Sequence, residues 1–289
     1  MSAYRIPEMA KKYVEYDMIR KHTELPAFPD SRARLLYALL SSGKHPAERS
    51  ELYALVVWLV QLGLDTHDLV DNHTGKRPER ETRARQILVL AGNYFSSRFY
   101  HLLSQAGQIE MVRRISGAVC EVNRLKLSLY ARMKQRKVTA DEYIGIHTQL
   151  KTGLFELFGS LLDDSVSALY PELLRGFTRC EVVLDELERV DSPVRFEGSW
   201  GYWRVMQDGT EEERRQLAQH PREEGLVRQL IAKYNLRAQL TELLRQSIAQ
   251  VQHVLRLLDS DKLAAELAQI ARKLHPSFAL QHAVTNETR

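Results

Sequence analysis

Three aspartates and a histidine lie close together after the most apolar segment of the chain: Asp65, His67, Asp68 and Asp71, within "LDTHDLVDN". Residues three and four apart share one face of a helix, so the three aspartates would form an acidic row beside the histidine. Such carboxylates can hold Mg²⁺, which takes a few protein carboxylates and completes its shell with phosphate oxygens. The alternative is an acidic helix end, followed by the basic loop "GKRPER", that binds no metal.

The segments that position these residues are predicted to be helical almost from end to end. Leu, Ala, Glu, Arg and Gln dominate, apolar residues recur at spacings of three and four, and no segment alternates apolar and polar residues as a half-buried strand does. Thr139, with Glu142 three residues later, predicts a capping box at one helix start. We predict an all-α protein, a single helical bundle of about nine or ten helices. Residues 1–289 would form one domain, with a C-terminal helical pair over 222–275 and a frayed tail over 276–289.

Composition narrows the functional classes. The 289 residues carry a formal net charge of +4 with basic and acidic residues interspersed, and no nucleic-acid-binding motif is present. The longest apolar run, residues 52–64, is shorter than the roughly 20 residues of a membrane span. A peripheral contact with an anionic membrane surface stays open. Cys120 and Cys180 match no metal-ligand spacing, and we expect two buried free thiols and, without a signal peptide, a cytoplasmic protein.

Two further sequence blocks follow the acidic row: "LAGNYF" over residues 90–95 and "KTGLF" over residues 151–155. In this order and spacing the chain resembles the trans-isoprenyl diphosphate synthases. Their pattern is an apolar helix ending in DDxxD, a basic loop, an A-x-L-A-G-D-Y helix, a K-T-x-x-L-F helix and a second DDxxD motif. The resemblance extends in pieces over residues 35–190 and implies an isoprenoid-synthase-like helical fold.

The resemblance carries over residue by residue. His67 stands where the first aspartate of DDxxD belongs, while Asp68 and Asp71 match the motif. In the family, the Lys-Thr pair of the later helix faces a diphosphate. Lys151 and Thr152 are therefore candidate contacts to a diphosphate.

The second acidic motif is missing. Where the family would place it, the chain reads "LLRGFTRCEVVLDELERVDSP", with Asp185 and Asp191 isolated. Prenyl transfer ionises an allylic diphosphate with Mg²⁺ ions held by both motifs, so we expect no catalytic residue, no metal site and no cofactor in this chain.

A fold kept without its metal clamps resembles the small, non-catalytic subunits of two-component long-chain prenyl diphosphate synthases, and among them component 1 of heptaprenyl diphosphate synthases. This resemblance implies a catalytic large subunit as partner, with Mg²⁺ on that partner. The product would be a quinone side-chain precursor, most often for menaquinone.

In the family the growing polyprenyl chain runs down a tunnel lined by the turns before the first acidic motif. The residues in those positions are Val56, Leu59, Leu62 and Gly63, and the glycine would leave room in the tunnel. We expect this subunit to supply apolar tunnel wall for the catalytic partner. The alternative is that these side chains belong to the core, because apolar residues at helical spacing usually pack against neighbouring helices.

Partner contact is predicted on the helix around "AGNYFSSRFYHLL". Tyr94, Phe95, Phe99 and Tyr100 would expose an aromatic stripe, a residue type enriched at interface centres, with core packing as the alternative. Two other functions remain open: a stand-alone terpene cyclase or prenyltransferase that uses the degenerate acidic motif, and a helical structural protein unrelated to isoprenoids.

Overall fold

The computed structural model describes residues 4–26, 28, 30–43, 46–70, 75–76 and 78–274. Within these residues every regular element is a helix, so the prediction of an all-α fold is confirmed. The fifteen α-helices of the described residues are α1 (Ile6–Val14), α2 (Asp17–His22), α3 (Asp30–Ser42), α4 (Ala47–Asp68), α5 (Glu79–Gln105), α6 (Ile109–Lys134), α7 (Ala140–Glu156), α8 (Asp164–Ser167), α9 (Tyr170–Val190), α10 (Pro193–Phe196), α11 (Trp200–Asp208), α12 (Glu211–Gln219), α13 (Glu224–Lys233), α14 (Leu236–Leu255) and α15 (Asp261–Leu274). A 3₁₀ turn at Gly159–Leu161 precedes α8.

The number of helices exceeds the predicted nine or ten for local reasons. Residues 193–196 and 200–208, which include Phe196, Trp200 and Trp203, form two separate short helices, α10 and α11. The C-terminal segment is three helices instead of a pair, because the chain turns at Asn235 with a left-handed φ of 48°. The predicted frayed tail over 276–289 lies outside the described residues.

The chain divides into two compact units, whereas we expected one domain. Unit 1 comprises Met1–Val119 and Leu154–Ala168, and unit 2 comprises Cys120–Gly153 and Leu169–Arg289. Helices α6 and α7 contribute residues to both units.

Unit 1 is built around α4, whose residues from Tyr53 to Leu64 are all buried. Helix α4 is held closely against α5 at Gly63. A Cβ atom on this glycine would lie 2.6 Å from the backbone nitrogen of Ser96 and 2.9 Å from the carbonyl oxygen of Gly92. Real Cβ atoms do not approach other atoms so closely, so only glycine permits this helix spacing.

Unit 2 pairs α9 with α14 through a similar close contact. A Cβ atom on Gly176 would lie 2.6 Å from Cγ2 of Val251. The capping box predicted at the start of α7 is confirmed: the backbone N–H of Glu142 donates to Oγ1 of Thr139 at 3.2 Å, and the backbone N–H of Thr139 donates to Oε2 of Glu142 at 3.1 Å. Such a box satisfies N–H groups that the first helical turn leaves unpaired.

The two cysteines differ in burial, which corrects one expectation. Cys180 is buried, and burial raises the pKa of its thiol to about 12, while Cys120 is exposed on α6. Among the helices of the described residues, none combines the length and the apolar composition that crossing a membrane would require.

Candidate functional site

The acidic row begins in the last turn of α4. Asp65 is partly buried and accepts a hydrogen bond from Nε2 of Gln61 at 2.8 Å, whereas Asp68 ends the helix and is exposed. Asp71 lies outside the described residues. The helix therefore ends with one partly buried carboxylate, hydrogen-bonded to Gln61 in its own helix, and one exposed carboxylate.

His67 occupies the position of the first family aspartate and lies against α5. A Cβ atom on Gly92 would be 2.6 to 2.8 Å from Cε1, Nε2 and Nδ1 of the His67 ring. Gly92 is the glycine of the "LAGNYF" block, so the structure brings the two sequence motifs together. The imidazole fills the space beside this glycine, where a side chain on α5 would exclude it.

The described residues contain no cluster of three metal-ligating side chains. Nowhere among them do three His, Cys, Asp or Glu side chains converge as metal ligands. At the end of α4 the described carboxylates are Asp65 and Asp68 alone, and the first already accepts from Gln61. Mg²⁺ takes one or two protein carboxylates and completes its shell with water and phosphate oxygens, so the expected absence of a metal site stays a prediction.

The residues predicted to line a tunnel are buried in unit 1. Val56, Leu59 and Leu62 have no exposed surface, and Leu59 and Leu62 pack in a cluster with Trp58 and the apolar faces of α1 and α2. The open space that we expected beside Gly63 is filled by the backbone of α5. The tunnel-lining role of the three apolar residues stays a prediction.

The aromatic stripe expected on α5 is not an exposed one. Phe95 and Phe99 are 0% and 3% exposed, so both belong to the core of unit 1, and their assignment to an exposed interface is wrong. Tyr94 is partly buried, and its ring contacts that of Phe95. Tyr100 is half exposed, with its hydroxyl 3.2 Å from Oγ of Ser116.

A different face of α5 is open to solvent. Its residues recur at spacings of three and four along the helix, and we call it the α5 outer face. Its members are Gln86, Val89, Leu90, Asn93, Ser97 and Tyr100. Leu90 is 62% exposed, and with Val89 and Tyr100 it gives this face three exposed large hydrophobic side chains.

The two candidate diphosphate contacts lie on α7 in unit 2. Lys151 is partly exposed, whereas Thr152 is completely buried and its hydroxyl donates to the carbonyl oxygen of Gln149 at 3.3 Å. Of the two side chains, only that of Lys151 reaches the surface. Its contact with a diphosphate stays a prediction.

Arginine side chains pair with the carboxylates in the segment where the family's second acidic motif would stand. Arg195 lies 3.0 Å from Asp185 and 3.8 Å from Glu188, and Arg237 pairs with Asp191. These three ion pairs are exposed and individually weak. Each one nevertheless places a positive arginine beside a carboxylate that, as a metal ligand, would have to face a metal ion.

The fourth carboxylate of this segment is buried in a polar network. Glu186 is 2% exposed and accepts from Nη1 of Arg189 at 2.9 Å, from the Tyr143 hydroxyl at 3.0 Å and from the backbone N–H of Trp200 at 2.7 Å. Burial raises the pKa of Glu186, and Arg189 opposes that rise. Glu186 and Arg189 were not predicted as a pair, although their three-residue spacing on a helix is a signal for one.

His147 lies beside this network on α7. Its ring centroid is 4.1 Å from that of Tyr143, and burial, together with Arg189 and Lys151, lowers the pKa of His147 to about 4. Its Nε2 is buried and has no hydrogen-bond partner among the described residues. The imidazole is therefore neutral at physiological pH.

Comparison with known proteins adds a family to this geometry. A model of the family described as heptaprenyl diphosphate synthase (HEPPP synthase) subunit 1 matches residues 16–177. The curated protein "Heptaprenyl diphosphate synthase component 1" of Geobacillus stearothermophilus is 33% identical over 98 residues, which are 34% of this chain and 42% of that protein. The match thus spans less than half of the curated relative.

Solved structures with similar folds include several prenyl synthases. The geranylgeranyl pyrophosphate synthetase of Pyrococcus horikoshii Ot3 has a TM-score of 0.67 at 15% identity, covering 93% of this chain and 94% of that one. A polyprenyl synthase of Caulobacter crescentus CB15, complexed with calcium and isoprenyl diphosphate, has a TM-score of 0.64 at 15% identity, covering 93% and 92%. At these identities the likeness establishes the fold alone.

Proposed function

Since this chain belongs to the heptaprenyl diphosphate synthase subunit 1 family, we propose that it is the accessory, non-catalytic subunit of a two-component long-chain trans-prenyl diphosphate synthase. Its partner is a catalytic large subunit that holds the Mg²⁺ ions, and the two together set the length of the polyprenyl chain. The product serves as a quinone side-chain precursor, in the menaquinone pathway. The pair works in the cytoplasm.

One observation carries this proposal: the arginine pairing of the acidic segment at the end of α9. From Asp185 to Asp191 every carboxylate has an arginine partner, and Glu186 is buried with its own. A metal cluster that ionises a diphosphate needs carboxylates free to neutralise the metal charge. A chain with arginine in those places needs a second chain to supply the cluster.

The same observation weighs against a stand-alone terpene cyclase or prenyltransferase. Such an enzyme would need a second metal clamp in this chain. The described residues offer Asp65 and Asp68 on one side only, and Asp65 is already engaged by Gln61. No specific feature of the described residues favours that function.

The α5 outer face is the surface we assign to the large subunit. Leu90 and Tyr100 expose apolar and aromatic area on the same side of one helix, and interface cores are enriched in such side chains. The proposed contact lies on the helix predicted from the sequence, but on exposed residues of that helix instead of the buried Phe95 and Phe99.

Reconstitution tests the accessory role. The purified chain, a large subunit carrying two intact DDxxD motifs, and the mixture of the two are each supplied with Mg²⁺, an allylic diphosphate and isopentenyl diphosphate. Products are then sized by mass spectrometry. Long-chain product in the mixture alone is the expected result. A large subunit that makes the same product at the same rate without this chain would contradict the proposal.

The tunnel hypothesis has its own test in the reconstituted pair. Leu59→Val removes one methylene from the apolar side of α4, and the matched variant Leu103→Val removes one from the equally buried core side of α5. A change of product length for the first variant alone is expected if Leu59 contributes tunnel wall. Equal product lengths for both variants would leave Leu59 as a core residue.

A further inference from the structure

A cavity of about 510 Å³ lies within unit 1, and Asp65, His67 and Asp68 are not among the residues that line it. Residues of α1, α2, the segment before α3 and the middle of α4 line it. Its volume falls within the range of small-molecule sites, roughly 300–1,000 Å³. Neither the family pattern nor the accessory role uses this cavity.

The cavity wall is predominantly apolar. Val14, Leu25, Phe28 and Trp58 contribute to it. Trp58 is 1% exposed, and the ring of Phe28 stacks on its indole at 4.8 Å with an interplanar angle of 19°. Phe28 itself remains 47% exposed, so a flat aromatic surface faces outward at this point. Such surfaces gain free energy when an apolar ligand covers them.

The charged groups of the lining are unequally satisfied. Asp30 is engaged, because it accepts from Nε of Arg34 at 2.5 Å and from the Tyr4 hydroxyl at 2.9 Å. Lys11 and Arg20 are exposed and make no ion pair with any described residue. Glu15 is the remaining acidic group of the lining. The four charged lining residues sum to zero, and Arg34, which pairs with Asp30 from outside the lining, brings the local charge to +1.

An unsatisfied donor adds a second, independent observation. Nε1 of Trp58 is buried and has no hydrogen-bond partner among the described residues. Buried indole N–H groups usually find an acceptor, because leaving one unpaired costs about 1–3 kcal/mol. The exposed phenylalanine, the unpaired cations and the tryptophan that carries the orphan donor all line one cavity.

We propose that this cavity binds an anionic amphiphile, a prenyl diphosphate, at a site separate from the acidic motif. The isoprenoid chain lies against Phe28 and Trp58, and the diphosphate contacts Lys11 and Arg20. The ligand class rests on the proposed function, which makes prenyl diphosphates the amphiphiles that this chain meets. The site would hold product or substrate on the accessory subunit while the chemistry takes place on its partner.

Binding is measured on the isolated full chain, with farnesyl diphosphate as the probe. The side chains of the three tryptophans, Trp58, Trp200 and Trp203, give separate indole signals in a ¹⁵N–¹H spectrum, assigned through Trp58→Phe or by sequential assignment. Saturable movement of the Trp58 signal, with Trp200 and Trp203 unmoved, is the expected result. Movement of the other two alone, or no movement, would overturn the proposal.

Rim variants test the role of the cations. The double variant Lys11→Ala with Arg20→Ala is expected to weaken binding of farnesyl diphosphate about fivefold, as for the loss of two exposed charge contacts. The matched control, Lys12→Ala with Lys21→Ala, removes the same charge from the same two helices at residues outside the cavity lining. Equal weakening by both pairs would show a general charge effect and contradict the site.

Three further probes define the ligand. Farnesol lacks the anionic head and inorganic diphosphate lacks the chain, so each is expected to bind more weakly than farnesyl diphosphate. Dodecanoate is an anionic amphiphile without the branched chain. Displacement of farnesyl diphosphate by dodecanoate at the same concentration would overturn the assignment to a prenyl ligand. Because no partner subunit is present, failure here is distinguishable from failure of the reconstituted synthase.

Discussion

At the scale of single residues, the acidic segments of this chain are distinguished by the side chains that surround them. His67 replaces one carboxylate and lies against Gly92, and Glu186 is enclosed by Arg189, Tyr143 and Trp200. A carboxylate in such a network has its lone pairs already used by donors. Both side chains are therefore engaged in the packing or hydrogen bonding of the fold.

The Glu186 network predicts a large loss of stability when its charge is removed. Glu186→Gln leaves Arg189 mostly buried without its counter-charge, and we expect the free energy of unfolding to fall by about 3 kcal/mol. Urea unfolding followed by circular dichroism measures this. Glu188→Gln is the control, because Glu188 lies one half-turn away with its side chain 75% exposed and should change stability by less than about 0.5 kcal/mol.

His147 predicts a specific dependence of stability on pH. Its pKa is lowered to about 4 in the folded chain, and an unfolded histidine has a pKa of about 6.5. Between these values the unfolded chain binds a proton that the folded chain does not, so stability falls as pH falls. From pH 7 to pH 5 the loss assigned to His147 is about 2 kcal/mol.

The comparison of wild type with His147→Phe isolates this contribution. Urea midpoints at pH 7 and pH 5 should differ less for the variant than for the wild type. The exposed His101, changed to Gln, should keep the wild-type dependence. An unchanged pH dependence in His147→Phe would show that folding does not lower the pKa of this imidazole.

At the scale of elements, the packing of α4 on α5 depends on two glycines, one on each helix and each facing the other helix. Gly63 of α4 lies against the backbone of α5, and Gly92 of α5 receives the His67 ring of α4. Both glycines belong to sequence blocks that the resemblance had singled out for chemistry. In this chain the two glycines allow α4 and α5 to pack closely.

Gly63→Ala therefore predicts a loss of stability despite the higher helix propensity of alanine. The new methyl group would meet the backbone at Ser96 and Gly92, and we expect a loss of about 2 kcal/mol in urea unfolding. Gly117→Ala on α6 is the matched control, because no atom lies within 4 Å of a Cβ there. That variant should gain up to about 1 kcal/mol from helix propensity alone.

A substitution on the α5 outer face should weaken binding to the large subunit without changing the stability of the chain. Leu90→Asp places a charge on a residue that is 62% exposed, so stability should stay within about 0.5 kcal/mol of wild type while binding to the large subunit weakens at least about tenfold. Val194→Asp, on a residue 70% exposed in unit 2, should bind normally. Normal binding by Leu90→Asp would remove α5 from the interface.

At the scale of the whole molecule, helical periodicity predicted the fold class because each helix carries its own pattern of apolar residues and caps. Thr139 and Glu142 are one such local signal. Burial of Phe95 and Phe99 was not predictable, since an aromatic stripe reads the same whether it faces the core or a partner. The pairing of Asp191 with Arg237 joins residues 46 positions apart, and sequence spacing carries no information about such contacts.

The most direct measurement of the central claim is prenyl transfer by the purified chain alone. The chain is incubated with Mg²⁺, radiolabelled isopentenyl diphosphate and farnesyl diphosphate, and extracted product is compared with a blank that contains no protein. Arginine-paired acids on α9 predict no product above the blank, and long-chain product when the large subunit is added. Chain elongation by this protein alone would contradict the account.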